Sequence, residues 1–128
     1  MIAACVRALP SEGCGLLLGS SDGLVADVVV SANVANSAKV YEIDSKVLLR
    51  AYRRADEEGI EVMGVFHSHT HSEAYPSPTD VAQAPDPTWH YVLISLRDAD
   101  TVMRSYRILE GEISEEPVEV RRGVTSES

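Results

Sequence analysis

The stretch IEVMGVFHSHTHSEAYPSPTD, Ile60 to Asp80, decides how the rest of the chain is read. It begins as an apolar, strand-like run that passes without a break into His67. From His67 to Asp80 it holds three alternating histidines, two carboxylates and two prolines, and only four histidines occur in the whole chain. Side chains two apart on an extended segment point the same way, so His67 and His69 at the end of a strand offer two imidazoles to one side. An H-x-H pair alone recurs by chance. What decides its meaning is whether other residues complete a metal site.

A catalytic zinc takes three protein ligands and keeps one position open, and a carboxylate serves as the third ligand. Asp80 lies eleven residues beyond His69, across a loop and at the expected start of a helix, where the chain can fold back on the histidines. His71 and Glu73 compete for the same role. The loop character of Thr70 to Pro76 breaks the alternation that would bring His71 into line. Water that attacks an amide also needs a proton acceptor, and the leaving nitrogen needs that proton returned. Glu12, just before GCGLLLG, is the candidate, although from the residues alone it reads first as a solvated turn acid.

Working outward, Met1 to Leu9 has Ile2, Val6 and Leu9 at helical spacing and stops at Pro10. CGLLLG (Cys14 to Gly19) reads as a buried strand, SSDG as a turn, and LVADVVVSANV and KVYEI as the next strands. Asp44 is placed to cap a helix over SKVLLRAYRRADEE, with Val47, Leu48, Ala51 and Ala55 on one face and Gly59 ending it. Past the histidine loop, SPTDVAQA predicts a helical turn or two, with Ser77 as N-cap and Pro78 at the first helical position. HYVLISL, MRSYRIL and SEEPVEV are expected strands, the last two separated by a turn around Gly111. Trp89 and His90 read as packing residues, with His90 also placed to support a metal ligand from behind. Strands and helices mix without strict βαβ alternation, which predicts an α/β fold with a mixed sheet flanked by helices. Residues 1–120 form the expected domain, and 121–128 a frayed polar tail.

At 128 residues and 45% apolar content the chain suits one soluble domain. Its net charge of −9 argues against nucleic acid, and no apolar run approaches the roughly 18–20 residues of a membrane span. The N-terminal stretch carries no export signal, and Cys5 and Cys14 read as buried, reduced thiols rather than a disulfide. The expected location is cytoplasmic.

HSHTHSEAYPSPTD fits H-[ST]-H-x7-S-x2-D and so resembles the metal signature of the JAMM (MPN+) metallopeptidases; His67, His69, Ser77 and Asp80 fill its fixed positions. PSEGCGLLLG resembles the upstream segment of that family, where a glutamate precedes a leucine-rich strand. The likeness runs from Pro10 to about Val120. It implies a single MPN/JAMM-type domain with a cytidine-deaminase-like mixed sheet, and one Zn²⁺ per chain held by His67, His69 and Asp80. It further implies Glu12 as the general acid/base and Ser77 as a hydrogen-bond donor to the substrate oxygen. His71 and Tyr75 are then expected near the substrate.

HSHT…SEAYPSPTDV and HYVLISLRD…RSYRI look most like the small bacterial Mec-type members. That resemblance implies hydrolysis after the C-terminal glycine of a ubiquitin-like sulfur-carrier protein with a Gly-Gly tail, releasing cysteine or a cysteine-containing extension. The alternatives are a deubiquitinase-like isopeptidase on another modifier and a non-catalytic MPN scaffold. A zinc deaminase would need a C-x-x-C pair, which is missing. Because an acidic carrier is repelled by the net charge, Arg50, Arg53, Arg54, Arg97 and Arg104 are the expected local contacts. A homodimer is compatible with so small a domain.

Overall fold

The computed structural model describes residues 1–9, 12–20, 22–35, 42–82, 84, 86–98 and 100–119. Along the chain come α1 (Ile2–Ala8), β1 (Cys14–Gly19), β2 (Val25–Ser31), α2 (Ser45–Glu58), β3 (Glu61–His69), α3 (Pro78–Ala82), β4 (His90–Ser95), β5 (Val102–Leu109) and β6 (Glu112–Glu116). The strands form one sheet in the order β2-β1-β3-β4-β5-β6. Every neighbouring pair is antiparallel except β3 and β4. A parallel pair cannot be joined by a tight hairpin and needs a long crossover. That crossover is the segment 70–89, which carries the histidine loop and α3.

The expected α/β architecture is therefore present, with helices on a mixed sheet. On one face Leu16, Leu18, Val65, Leu93 and Tyr106 pack with Ala51 and Ala55 of α2. On the other, Leu17, Met63, Phe66, Val92 and Ile94 pack with Cys5 of α1. Alternation along β1 assigns its residues to these faces, even-numbered ones to α2 and odd-numbered ones to α1. On β3 the register shifts opposite Leu17 and Leu18, which pair with Gly64 and Val62 and leave Met63 as an extra residue. Beyond that bulge Val65 and His67 share one face, while Phe66 and Ser68 share the other.

Helix α2 obeys its sequence signals. The Asp44 carboxylate accepts from the Lys46 N–H, and Gly59 ends the helix at φ 70°, in the left-handed region. Val47, Ala51 and Ala55 are buried, and Leu48 is half-buried. The turn around Gly111 is a two-residue hairpin loop in which Glu110 and Gly111 both have positive φ.

Two expectations shift. The last strand covers Glu112–Glu116 rather than SEEPVEV, because Pro117 has no N–H to continue the ladder. Of KVYEI, Glu42 and Ile43 are described: Glu42 O accepts from the Val34 N–H at 3.0 Å and Ile43 forms an isolated bridge to Asn33; positions 39–41 lie outside the described residues, as do Pro10 and the tail 121–128. Among the described residues no helix is long and apolar enough to cross a membrane.

Candidate active site

The site lies at the carboxyl ends of the parallel strands β3 and β4, where the crossover leaves the sheet. His67 and His69 end β3 and are both buried. Their rings meet edge to face with centroids 5.2 Å apart. Even parity continued backward from β1 puts Glu12 on the histidine face, and Cys14 pairs with His67 across the strands. Glu12 is only 3% exposed, which overturns the reading of a solvated turn acid. Its Oε1 lies 3.4 Å from His67 Nδ1 and has no hydrogen-bond partner among the described residues.

Asp80 reaches the histidines from the far side of the loop. Its Oδ2 stands 2.9 Å from His69 Nε2, and its Oδ1 stands 3.7 Å from His67 Nε2. The aim comes from a reciprocal cap at the start of α3. The Asp80 N–H donates to Ser77 Oγ at 3.1 Å, and the Ser77 N–H donates back to Asp80 Oδ2 at 2.9 Å. S-x-x-D is thus both an N-terminal cap and the device that turns a carboxylate toward the imidazoles. Ser77 Oγ accepts in this arrangement, so its own O–H proton remains available for donation.

The loop between them is pinned by its carbonyls. Ser95 Oγ donates to Ser72 O at 2.6 Å, Tyr106 Oη donates to Ala74 O, and His69 Nδ1 donates to Glu73 O at 2.9 Å. Glu73, a competitor for the metal in the sequence, contributes its carbonyl, and its side chain is exposed. His71 is exposed on the loop, and Tyr75, about half exposed, stacks edge to face on Tyr106 at 5.5 Å. Trp89 is buried in the core as expected. His90 sits opposite Gly64, toward the start of β3, and donates to Glu116 at 2.6 Å, so it does not back the site. The two thiols are free and buried, and burial pushes Cys14 up to about 12.

Charge within the site follows from these contacts. Burial disfavours the charged form of His69, but the Asp80 carboxylate on Nε2 and the Glu73 carbonyl on Nδ1 outweigh it and raise its pKa. Burial would raise Asp80, yet the hydrogen bond from His69 and the nearby His67 hold it below the ordinary carboxylate range. Acceptors on both ring nitrogens favour the protonated ring of metal-free His69. Its raised pKa stabilises the metal-free fold below the ordinary imidazole value, and that contribution disappears as pH rises through the raised value. Asp80 contributes above the ordinary carboxylate value and ceases to as pH falls through its lowered one.

The donor set suits zinc, with two imidazoles and two carboxylates brought together. Glu12, His67 and His69 each place a ligand atom within 4.8 Å of the others. Both Nε2 atoms face Asp80 instead, so two carboxylates compete to be the third ligand. Metal binding at His69 Nε2 competes with a proton there. Zinc affinity is therefore expected to fall as pH drops through the raised His69 pKa, with proton release on binding growing as pH falls. Calorimetry in buffers of different ionisation heat checks this, and proton-free binding at low pH would contradict it.

Residues 1–109 match the family model described as prokaryotic homologs of the JAB domain. The chain is 41% identical over 123 residues to the CysO-cysteine peptidase of Mycobacterium tuberculosis, covering 94% of this chain and 84% of that one. It is 34% identical over 88 residues to the desampylase of Haloferax volcanii, covering 67% of this chain and 63% of that one. A solution structure from Desulfitobacterium hafniense superposes with a TM-score of 0.88 at 33% identity, covering 97% of this chain and 88% of that one.

Proposed function

The chain belongs to the prokaryotic JAB-domain family of hydrolases, and from that premise we propose a zinc peptidase that acts on a ubiquitin-like sulfur carrier. It hydrolyses the amide bond after the carrier's C-terminal glycine and releases cysteine or a short cysteine-containing extension. Similarity to a peptidase named for a CysO-cysteine substrate supports this choice. The observation that carries the reading is Glu12, a buried carboxylate with an unsatisfied oxygen beside two imidazoles. Such a group is costly to bury unless it acts on something that enters the site.

His67, His69 and Asp80 hold the metal in this reading. Glu73 O fixes the His69 tautomer from behind, leaving Nε2 as the ligating atom. Bound zinc supplies Lewis acidity, acidifying water and polarising the scissile carbonyl. Glu12 accepts a proton from the attacking water and returns it to the leaving nitrogen. Ser77, already held by its cap to Asp80, donates its O–H to the oxygen of the scissile carbonyl as charge develops there. His71 and Tyr75 stand on the exposed loop flanking this centre, where an incoming tail contacts them. Two buried free thiols suit a reducing compartment, and the reaction is assigned to the cytoplasm.

Of the five arginines expected to meet the carrier, Arg54 pairs with Asp27 and Glu58, Arg97 with Asp98 and Arg104 with Glu115. Arg50 and Arg53 have no ion-pair partner among the described residues. They share an exposed stripe of α2 with Lys46 and Leu49. Reversing both charges is expected to lower kcat/KM on a protein carrier about tenfold at low ionic strength and to spare a short peptide. An unchanged rate on the carrier would remove α2 from docking.

The test of function is a carrier ending in Gly-Gly-Cys, incubated with and without chelator and read by intact mass. Loss of the terminal cysteine only without chelator supports the proposal. A carrier that stays whole with metal-loaded protein contradicts it. The similarity to a desampylase gives a second reading, isopeptidase action on another ubiquitin-like modifier. A carrier joined to a lysine side chain, cleaved in preference to Gly-Gly-Cys, would favour that one.

A further inference from the structure

Between the two histidines stands Ser68, fully buried and facing away from them, beneath α1. Its Oγ accepts from the Gly13 N–H at 2.8 Å, and its own N–H donates to Gly13 O at 2.9 Å. A ladder carbonyl would ordinarily satisfy that N–H; here a side-chain oxygen does so. Both polar groups of Gly13 are thereby fixed by one residue. Gly13 leaves no space for a side chain, since a Cβ there would lie 2.6 Å from Cys5 Cα. Burial pushes the Cys5 thiol up, while the Ser68 hydroxyl beside it pulls the other way, so Ser68 links α1, β1 and β3 at one point.

Glu12 is the residue immediately before this clamp, two positions ahead of the start of β1. Glu12 Oε1 has no hydrogen bond of its own to hold it. The carboxylate stands 3.4 Å from His67 on a residue whose chain neighbour, Gly13, is held by Ser68. We propose that Ser68 is a positioning residue for the reaction: by holding Gly13 it fixes where the Glu12 carboxylate stands relative to His67. The inference rests on the reading of Glu12 as the general acid/base.

The experiment compares Ser68→Ala and Ser68→Thr, and repeats Ser68→Ala in a Glu12→Gln background. Turnover, zinc content and Gly13 amide exchange are followed together. Ser68→Ala is expected to keep its zinc and its KM, to lose about 10–100-fold in kcat, and to exchange the Gly13 amide faster. Ser68→Thr keeps the hydroxyl and recovers kcat and protection together. In the Glu12→Gln background Ser68→Ala should cost nothing further in turnover, while Gly13 exchange still accelerates.

If the alanine variant does not fold, Ser68→Cys keeps the size, weakens the acceptor, and serves for the same comparison. A kcat within about twofold of the parent despite faster Gly13 exchange overturns the proposal, because the clamp would then be structural only. An equal loss in the Glu12→Gln background overturns it too, because Ser68 would then act through something else. Full turnover by Glu12→Gln alone is a separate result: it removes Glu12 from the mechanism and the Ser68 role along with it.

Discussion

Glu12→Gln is expected to keep its zinc and to lose about 10²- to 10⁴-fold in kcat, the range that a positioned acid/base contributes. The substitution keeps the size of a side chain that is 3% exposed and removes its charge, and with it the ability to accept and return a proton. KM should change little if Glu12 acts, as proposed, on the water and the leaving nitrogen rather than on the carrier's body. Kinetics and zinc analysis on one preparation check the split. A variant that loses its metal together with its rate would instead make Glu12 a ligand.

That alternative has a geometric basis, because Glu12, His67 and His69 place ligand atoms within 4.8 Å of one another. Asp80→Ala decides between the two carboxylates. Asp80 faces both Nε2 atoms, with oxygens 2.9 Å from His69 and 3.7 Å from His67, while Glu12 faces His67 Nδ1. The expected result is loss of zinc at stoichiometric concentration and turnover at background. Asp80→Ala also frees the Ser77 N–H, so helix α3 loses one side of its cap. Asp80→Asn keeps an oxygen for that N–H and removes the charge, which separates weakened metal binding from a frayed helix. Zinc bound as tightly in Asp80→Ala as in the parent would transfer the third ligand position to Glu12.

Some of this could be read from the residues. Period-two alternation identified His67 and His69 as a pair, and the cap and stop signals of α2 at Asp44 and Gly59 are the ones the structure uses. The resemblance to the JAMM signature supplied the roles of Glu12 and Ser77 and chose Asp80, which spacing alone left in competition with His71 and Glu73. The burial of Glu12 was not legible, because it depends on β1 pairing with β3 some fifty residues away. Nor was the single parallel pair, whose crossover makes the histidine loop a structural necessity as well as a site.

Two local signals were there to be found. Ser-Pro-Thr-Asp is a reciprocal cap as written, with a carboxylate at the third helical position, and so it predicts where Asp80 points. The serine in His-Ser-His lies on the opposite face from the imidazoles by the same alternation that pairs them, and the partner of its hydroxyl is Gly13. Alternation identifies the face but not that partner, which the strand register supplies.

The central claim is that one zinc, held by His67, His69 and Asp80, makes this fold a peptidase. It is tested most directly by returning zinc in steps to metal-stripped protein while recording cleavage of a Gly-Gly-Cys carrier. Cleavage should rise in proportion to added zinc and level off at one ion per chain. Undiminished cleavage by the stripped protein, or none at a full complement of zinc, would contradict the account.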